Sequence, residues 1–296
     1  MTPDQFETAL AACATETEAF LDAWLTPAMA PWRLVAAMRH GTLNGGKRLR
    51  PFLVRASAQL FEVPPAQSLA AGAALEMVHC YSLIHDDLPD MDNDEMRRGS
   101  PTVWKAFDPA LAILAGDALL TEAFRVLASE NTHPEPSIRI RLVSILANAA
   151  GSFGMVGGQV LDIEGEKTPL SDEQVMVMQD KKTGALIHAA IEMGTVLGQA
   201  DGQRRSDLVH YAHAAGIAFQ LADDILDATA TTERLGKTAG KDLAQNKSTF
   251  VARHGIDAAR RRLGAIVIDG LACLDRFGPE ADPLRHTIRY FAVREH

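Results

Sequence analysis

Apolar residues recur through most of the chain at spacings of three and four, the period of a helix that buries one face. Between residues 4 and 25, Phe6, Ala9, Leu10, Cys13, Phe20, Leu21 and Leu25 stand among acidic and polar neighbours. From Leu69 to His85 nearly every side chain is apolar, including Ala70, Ala71, Ala73, Ala74, Leu75, Met77, Val78, Tyr81, Leu83 and Ile84. A helix apolar on all sides belongs in the middle of a domain. A second such segment runs from Leu208 to Asp227, and further helices are predicted over about 109–129, 137–155, 171–200 and 257–276.

The breaks fall at residues that stop helices. Val63-Pro64-Pro65 and His133-Pro134-Glu135-Pro136 each separate two helical runs, because proline lacks the N–H a helix interior needs. Ser171-Asp172-Glu173 reads as an N-cap followed by first-turn acids. Period-two alternation is scarce and no Gly/Ser linker divides the chain. The pattern predicts a single all-α domain over residues 1–296, built from roughly ten or more helices.

Composition agrees with a helical, globular chain. It is 47% hydrophobic but only 6% aromatic, with Ala, Leu and Met carrying the apolar content, and unbranched side chains lose little rotamer freedom in helices. The net charge of −9 argues against a nucleic-acid-binding face, which needs a basic excess. Cys13, Cys80 and Cys273 are far apart and odd in number, which excludes a disulfide framework and a cysteine zinc site and fits a reducing cytoplasm. The N-terminus lacks the basic and apolar regions of a secretory signal. Apolar runs such as 106–120 are interrupted by Asp108, Pro109 and Asp117, so no stretch is expected to reach the roughly 20 residues of a membrane span.

The two most apolar helices both end in paired aspartates. The first run is Asp86-Asp87-Leu88-Pro89-Asp90-Met91-Asp92 and the second Asp223-Asp224-Ile225-Leu226-Asp227. Residues four apart share a helix face, which would align Asp86 with Asp90 and Asp223 with Asp227. Pro89 is expected to end or kink the first helix and let Asp92 turn back towards Asp86. Two central helices could thus deliver carboxylates from opposite sides of a cavity. Clustered carboxylates repel one another and need a counter-charge. Mg²⁺ supplies one, since it prefers oxygen and joins carboxylates to phosphates. The alternative reading of either run is a solvated acidic helix end.

Cations accompany the acids. Gly45-Gly46-Lys47-Arg48-Leu49-Arg50-Pro51 sets three cations beside two glycines, a combination suited to phosphate oxygens or to an ordinary basic loop. Arg97-Arg98-Gly99 follows the first aspartate run, Lys182-Thr183-Gly184 interrupts an apolar stretch, and Lys237 and Lys247 follow the second run. His79 precedes Asp86 by seven residues and lies on nearly the same helix face. No Walker loop, Rossmann fingerprint, serine-nucleophile elbow or HExxH is present. The charges suggest a diphosphate held through metal at one place and by Lys and Arg at another.

From about residue 33 onward the chain resembles the trans-type, head-to-tail polyprenyl diphosphate synthases, and among them the bacterial farnesyl type. Five blocks carry the likeness: GGKRLRP at 45–51, LIHDDLPDMDNDEMRRG at 83–99, KTGALI at 182–187, GIAFQLADDILD at 216–227, and LGK…NKS at 235–248. The resemblance implies the all-α isoprenoid synthase fold around a central cavity, a homodimer, and Mg²⁺ as cofactor, three ions per site with substrate bound. It implies that Asp86, Asp92 and Asp223 hold the metal, with Asp87, Asp224, Asp227 and Lys182 assisting catalysis. Lys47, Arg50, His79 and Arg98 would bind isopentenyl diphosphate. Arg97, Lys182, Thr183, Gln220, Lys237 and Lys247 would bind the allylic partner, dimethylallyl or geranyl diphosphate.

Product length is expected to depend on Tyr81, five residues before Asp86, about 7.5 Å along a helix. In the family, an aromatic there floors the pocket under the growing chain. The first run also has four residues between Asp87 and Asp92, resembling the bacterial farnesyl form. Both features favour a C15 product. Geranylgeranyl diphosphate synthase is the neighbouring alternative, a class I terpene cyclase a more distant one, and a non-catalytic prenyltransferase subunit belongs to another class. Asp90, the doubled lysine at Lys181 and the weakly basic C-terminus depart from the family pattern.

Overall fold

A computed structural model describes residues 1–26, 28, 31–168, 170–229 and 250–293. In chain order it contains α1 (Pro3–Trp24), α2 (Trp32–Thr42), α3 (Leu49–Gln59), α4 (Pro65–Asp86), a hairpin of β1 (Met96–Arg97) and β2 (Ser100–Pro101), α5 (Val103–Ala106), α6 (Pro109–Ala128), α7 (Pro136–Ala150) and α8 (Met155–Lys167). Then come α9 (Asp172–Gln179), a π-helical turn (Asp180–Gly184), α10 (Ala185–Leu197), α11 (Gly202–Thr229), α12 (Phe250–His254), α13 (Ile256–Ala272), a 3₁₀ turn (Pro279–Ala281) and α14 (Asp282–Val293). The expected all-α class holds; β1 and β2 are the only strands among the described residues.

The chain groups into two compact units, one of residues 2–55 and 62–143, the other of Met1, residues 56–61 and the chain from 144 onward. The centre of the first unit is α4. Its Ala70, Ala71, Ala73, Ala74, Leu75, Met77 and Val78 are all buried, as its uniform hydrophobicity requires. Helix α6 packs along α4, and α1 and α2 pack against the same helix. Thr2 starts α1 through a capping box with Gln5, which satisfies two backbone donors at once.

In the second unit α11 is central, with α10, α13 and α14 packed on it. Ser171 caps α9 as its sequence predicts, in a capping box with Gln174. The helix expected over 171–200 is interrupted by the π turn at Asp180–Gly184. Such bulges carry an extra residue per turn and are frequent at functional sites. The helix expected over 137–155 stops at Ala150, and a turn over 151–154 precedes α8.

One expectation about membranes needs correction. Residues 136–167 are long and apolar enough to cross a bilayer by length and composition, with a mean hydropathy of 1.4 in the most apolar window. The turn at 151–154 divides this stretch into helices of 15 and 13 residues, each shorter than the roughly 20 a span needs.

Tyr211 on α11 is fully buried, and its hydroxyl donates to the Leu284 carbonyl of α14 at 2.6 Å. Burial raises its pKa, so the phenol stays a donor. Tyr211→Phe removes this bond without opening a cavity. It should destabilise the protein by about 1 kcal/mol, read as a lower urea midpoint with unchanged helical circular dichroism.

Candidate active site

In the first unit, α4 carries its apolar residues up to Asp86 and ends there, with Asp87 as its C-cap. The chain then folds back, and the Asp92 N–H donates to the Asp86 carbonyl at 2.8 Å. The expected return of Asp92 towards Asp86 is therefore a backbone fact. The expected helical pairing of Asp86 with Asp90 is not, because the helix has ended and Asp90 lies in an exposed turn. Asp86 is half-buried and Asp92 exposed. These hard carboxylate oxygens on one tight loop suit Mg²⁺, with no softer donor among them.

Asp87 behaves differently. It is buried, and the Arg97 guanidinium grips it as a fork: Nε donates to both oxygens at 2.9 Å and Nη2 to Oδ1 at 2.6 Å. Burial alone would lower the Arg97 pKa, yet the bonds to Asp87 raise it, so the pair stays ionised. Arg97, expected on the allylic diphosphate, is here the residue that positions Asp87.

The β1–β2 hairpin presents both arginines. Its two-residue loop, Arg98-Gly99, has φ of +83° and +78°, the positive values a type I′ hairpin turn demands. Arg98 therefore accepts a left-handed backbone that costs a non-glycine residue roughly 1–2 kcal/mol. Its guanidinium bonds the Asn44 side chain at 3.1 Å and the Gly45 carbonyl. A Cβ on Gly46 would come 2.8 Å from Arg98 Nη1, so glycine at 46 leaves room for the arginine.

Around His79 the positive charges gather. Arg48 is buried and spent within the protein, donating to Glu76 at 2.9 Å, to the Thr42 carbonyl at 2.6 Å and to Glu18 at 3.2 Å. Arg50 and His79 keep a little solvent-facing surface but are otherwise ringed by protein. Burial lowers the pKa of both, and Arg50, Arg98, Arg97 and Arg48 push His79 lower still. Guanidinium groups gathered around a neutral imidazole this way form a recess that an anion would relieve. Lys47 is exposed at the recess loop.

Tyr81 is buried one turn before the end of α4, its ring edge-on to His85 at 5.7 Å between centroids. Burial and then the charge of Asp86 raise its pKa to about 12. The ring is thus a neutral wall close to the first carboxylate run.

In the second unit, Asp223, Asp224 and Asp227 lie on α11, with Asp223 and Asp227 half-buried and one helical turn apart. Asp224 is buried, and burial raises its pKa to about 6. It accepts from Gln220 Nε2 at 2.9 Å and from Gln179 Nε2 at 3.1 Å, so Gln220 is here its support. Lys182 and Thr183 sit in the π turn. Lys182 Nζ meets Asp162 at 2.6 Å, while Lys181 Nζ turns to the Phe153 carbonyl at 2.6 Å. That separates the doubled lysines: Lys182 is the one held by an acid. Lys237, Lys247 and the C-terminal residues 294–296 lie outside the described residues.

Three supporting residues went unread in the sequence: Asp162, Gln179 and Glu76. Only Asp162 had a signal, the glycine pair Gly157-Gly158 just before it. A Cβ on Gly158 would lie 2.2 Å from the Lys182 backbone nitrogen, so glycine is what lets α8 approach the π turn. Glu76 and Gln179 lie among helical neighbours that give no local hint of a partner.

The polyprenyl synthetase family model matches residues 32–272. The chain is 41% identical over 282 residues to farnesyl diphosphate synthase of Escherichia coli, covering 93% of each chain. It is 39% identical to the chloroplastic geranylgeranyl pyrophosphate synthase of Catharanthus roseus, over 90% of this chain and 75% of that one. The apo crystal structure of an FPP/GFPP synthase from Zymomonas mobilis superposes with a TM-score of 0.90 at 41% identity, covering 99% of this chain and 100% of that one. With a carboxylate-rich turn and a cationic recess in one unit, and aspartates and a held lysine in the other, the chain belongs to the polyprenyl synthetase family.

Proposed function

We propose that the protein condenses isopentenyl diphosphate with dimethylallyl and then geranyl diphosphate, giving farnesyl diphosphate. The observation that carries this reading is the recess where the guanidinium groups of Arg50 and Arg98 gather around a neutral His79 on the helix that ends in the Asp86–Asp92 turn. Such a recess suits a diphosphate, and isopentenyl diphosphate would lie there with Lys47 at its rim.

Asp86, Asp92 and Asp223 would hold Mg²⁺. When bound, Mg²⁺ supplies positive charge to the allylic diphosphate as it leaves. Lys182 and Thr183, with Lys237 and Lys247, would bind that group and stabilise the negative charge that grows when the allylic C–O bond breaks. Arg97 and Gln220 support this by orienting Asp87 and Asp224. The double bond of isopentenyl diphosphate then attacks the allylic carbon, a new C–C bond forms, and a proton leaves to the departed diphosphate. No protein nucleophile is needed. The apolar wall, Tyr81 included, keeps water from the carbocation.

The protein would act in the cytoplasm, which suits three cysteines that are free in the structure. It would act as a homodimer. In support, Phe153 in the turn before α8 is 79% exposed, and the exposed Val156, Val160 and Ile163 share one face of α8 at spacings of four and three.

Three outcomes test these readings. Purified protein given isopentenyl and dimethylallyl diphosphates with Mg²⁺ should release diphosphate and yield mainly a C15 product. A C20 product would keep the chemistry and support the longer-chain alternative that the Catharanthus relative represents. No product from either a C5 or a C10 primer would favour a non-catalytic subunit. Tyr81→Ala should shift products to C20 or beyond, and an unchanged C15 profile would remove Tyr81 from length control. Phe153→Glu should convert dimer to monomer in sedimentation equilibrium, whereas an unaltered mass would place any interface elsewhere.

A further inference from the structure

The second unit holds a group of side chains that the proposed reaction does not use. Asp180 stands at the start of the π turn, His188 on α10 and His213 on α11. One ligand atom from each lies within 4.8 Å of the other two. The two imidazole centroids are 4.4 Å apart, and His188 Nε2 is 3.6 Å from Asp180 Oδ1.

His188 is the informative member. Its Nε2 is buried and makes no hydrogen bond among the described residues. An imidazole nitrogen left this way costs free energy unless something meets it. The space beside it is kept open by Gly216, where a Cβ would come within 2.9 Å of Nε2.

We infer that Asp180, His188 and His213 form a binding site for a first-row transition metal ion, with Zn²⁺ the best match to their chemistry. Two imidazoles and one carboxylate are a familiar zinc donor set, whereas Mg²⁺ prefers oxygen throughout. A tetrahedral ion with bonds of about 2.1 Å needs its ligand atoms about 3.4 Å apart. The cluster must therefore tighten by up to about 1.4 Å at its widest, which exposed His213 can supply by a small rotation. His188 and His213 also line a pocket of about 210 Å³, so a fourth position is open to water. Glu192, the one acid that lines that pocket, is already paired with Arg205 at 3.3 Å. Because Asp180 begins the turn that carries Lys182, an ion here would tie that turn to α10 and α11.

The test uses Co²⁺ as a spectroscopic probe on the full chain, in millimolar Mg²⁺ to occupy the carboxylate motifs. One equivalent of Co²⁺ should bind with the intense visible absorption of a four-coordinate ion, and Zn²⁺ should displace it. His213→Ala, at an exposed position, and Asp180→Asn should each weaken binding by about tenfold or more, which is about 1.4 kcal/mol, with helical circular dichroism unchanged. Absence of the absorption in the unmodified protein would overturn the site. So would equal Co²⁺ affinity in both variants, since the ion would then lie elsewhere.

Discussion

A buried charge must be met, and the functional regions of this protein are organised by how each one is. Asp87 sits where an apolar helix stops, with almost no access to water. Left alone there it would take up a proton or break the fold. Arg97 meets it with a two-pronged fork, and that grip fixes the hairpin that carries both arginines. Fixing the hairpin sets Arg98 against the Gly45-Gly46 loop, and so one wall of the cationic recess.

The recess obeys the same constraint with the opposite result. Arg48 is held by Glu76, Glu18 and the Thr42 carbonyl, and so belongs to the scaffold. Close to it, burial lowers the pKa of Arg50, and burial together with Arg50 and the other arginines keeps His79 neutral. What sets Arg48 apart from Arg50, two residues on in sequence, is its direct ion pairs with Glu76 and Glu18. The doubled lysines also take different partners, the Phe153 carbonyl for Lys181 and Asp162 for Lys182.

Glycines make the close approaches these contacts require. Gly158 admits the π-turn backbone beside α8, Gly46 admits Arg98, and Gly216 leaves space at His188 Nε2. Each sits where a methyl group would collide with an atom that matters for charge or ligation. The backbone has therefore been shaped to bring polar groups together in a chain that is otherwise dominated by apolar helix packing.

By itself the sequence determined the helical class, the two apolar central helices and the positions of the aspartate runs. These follow from local periodicity and from residue types whose chemistry is intrinsic. The turn of Asp92 back to Asp86 was also legible, because proline leaves the chain few alternatives. The tertiary structure alone decided that Arg97 is committed to Asp87 and Gln220 to Asp224, and that Asp162 holds Lys182. It alone brought Asp180, His188 and His213 together from three elements. Such pairings depend on which side chains meet after helices pack, and helical spacing records the buried face of each helix but not the residue that will face it.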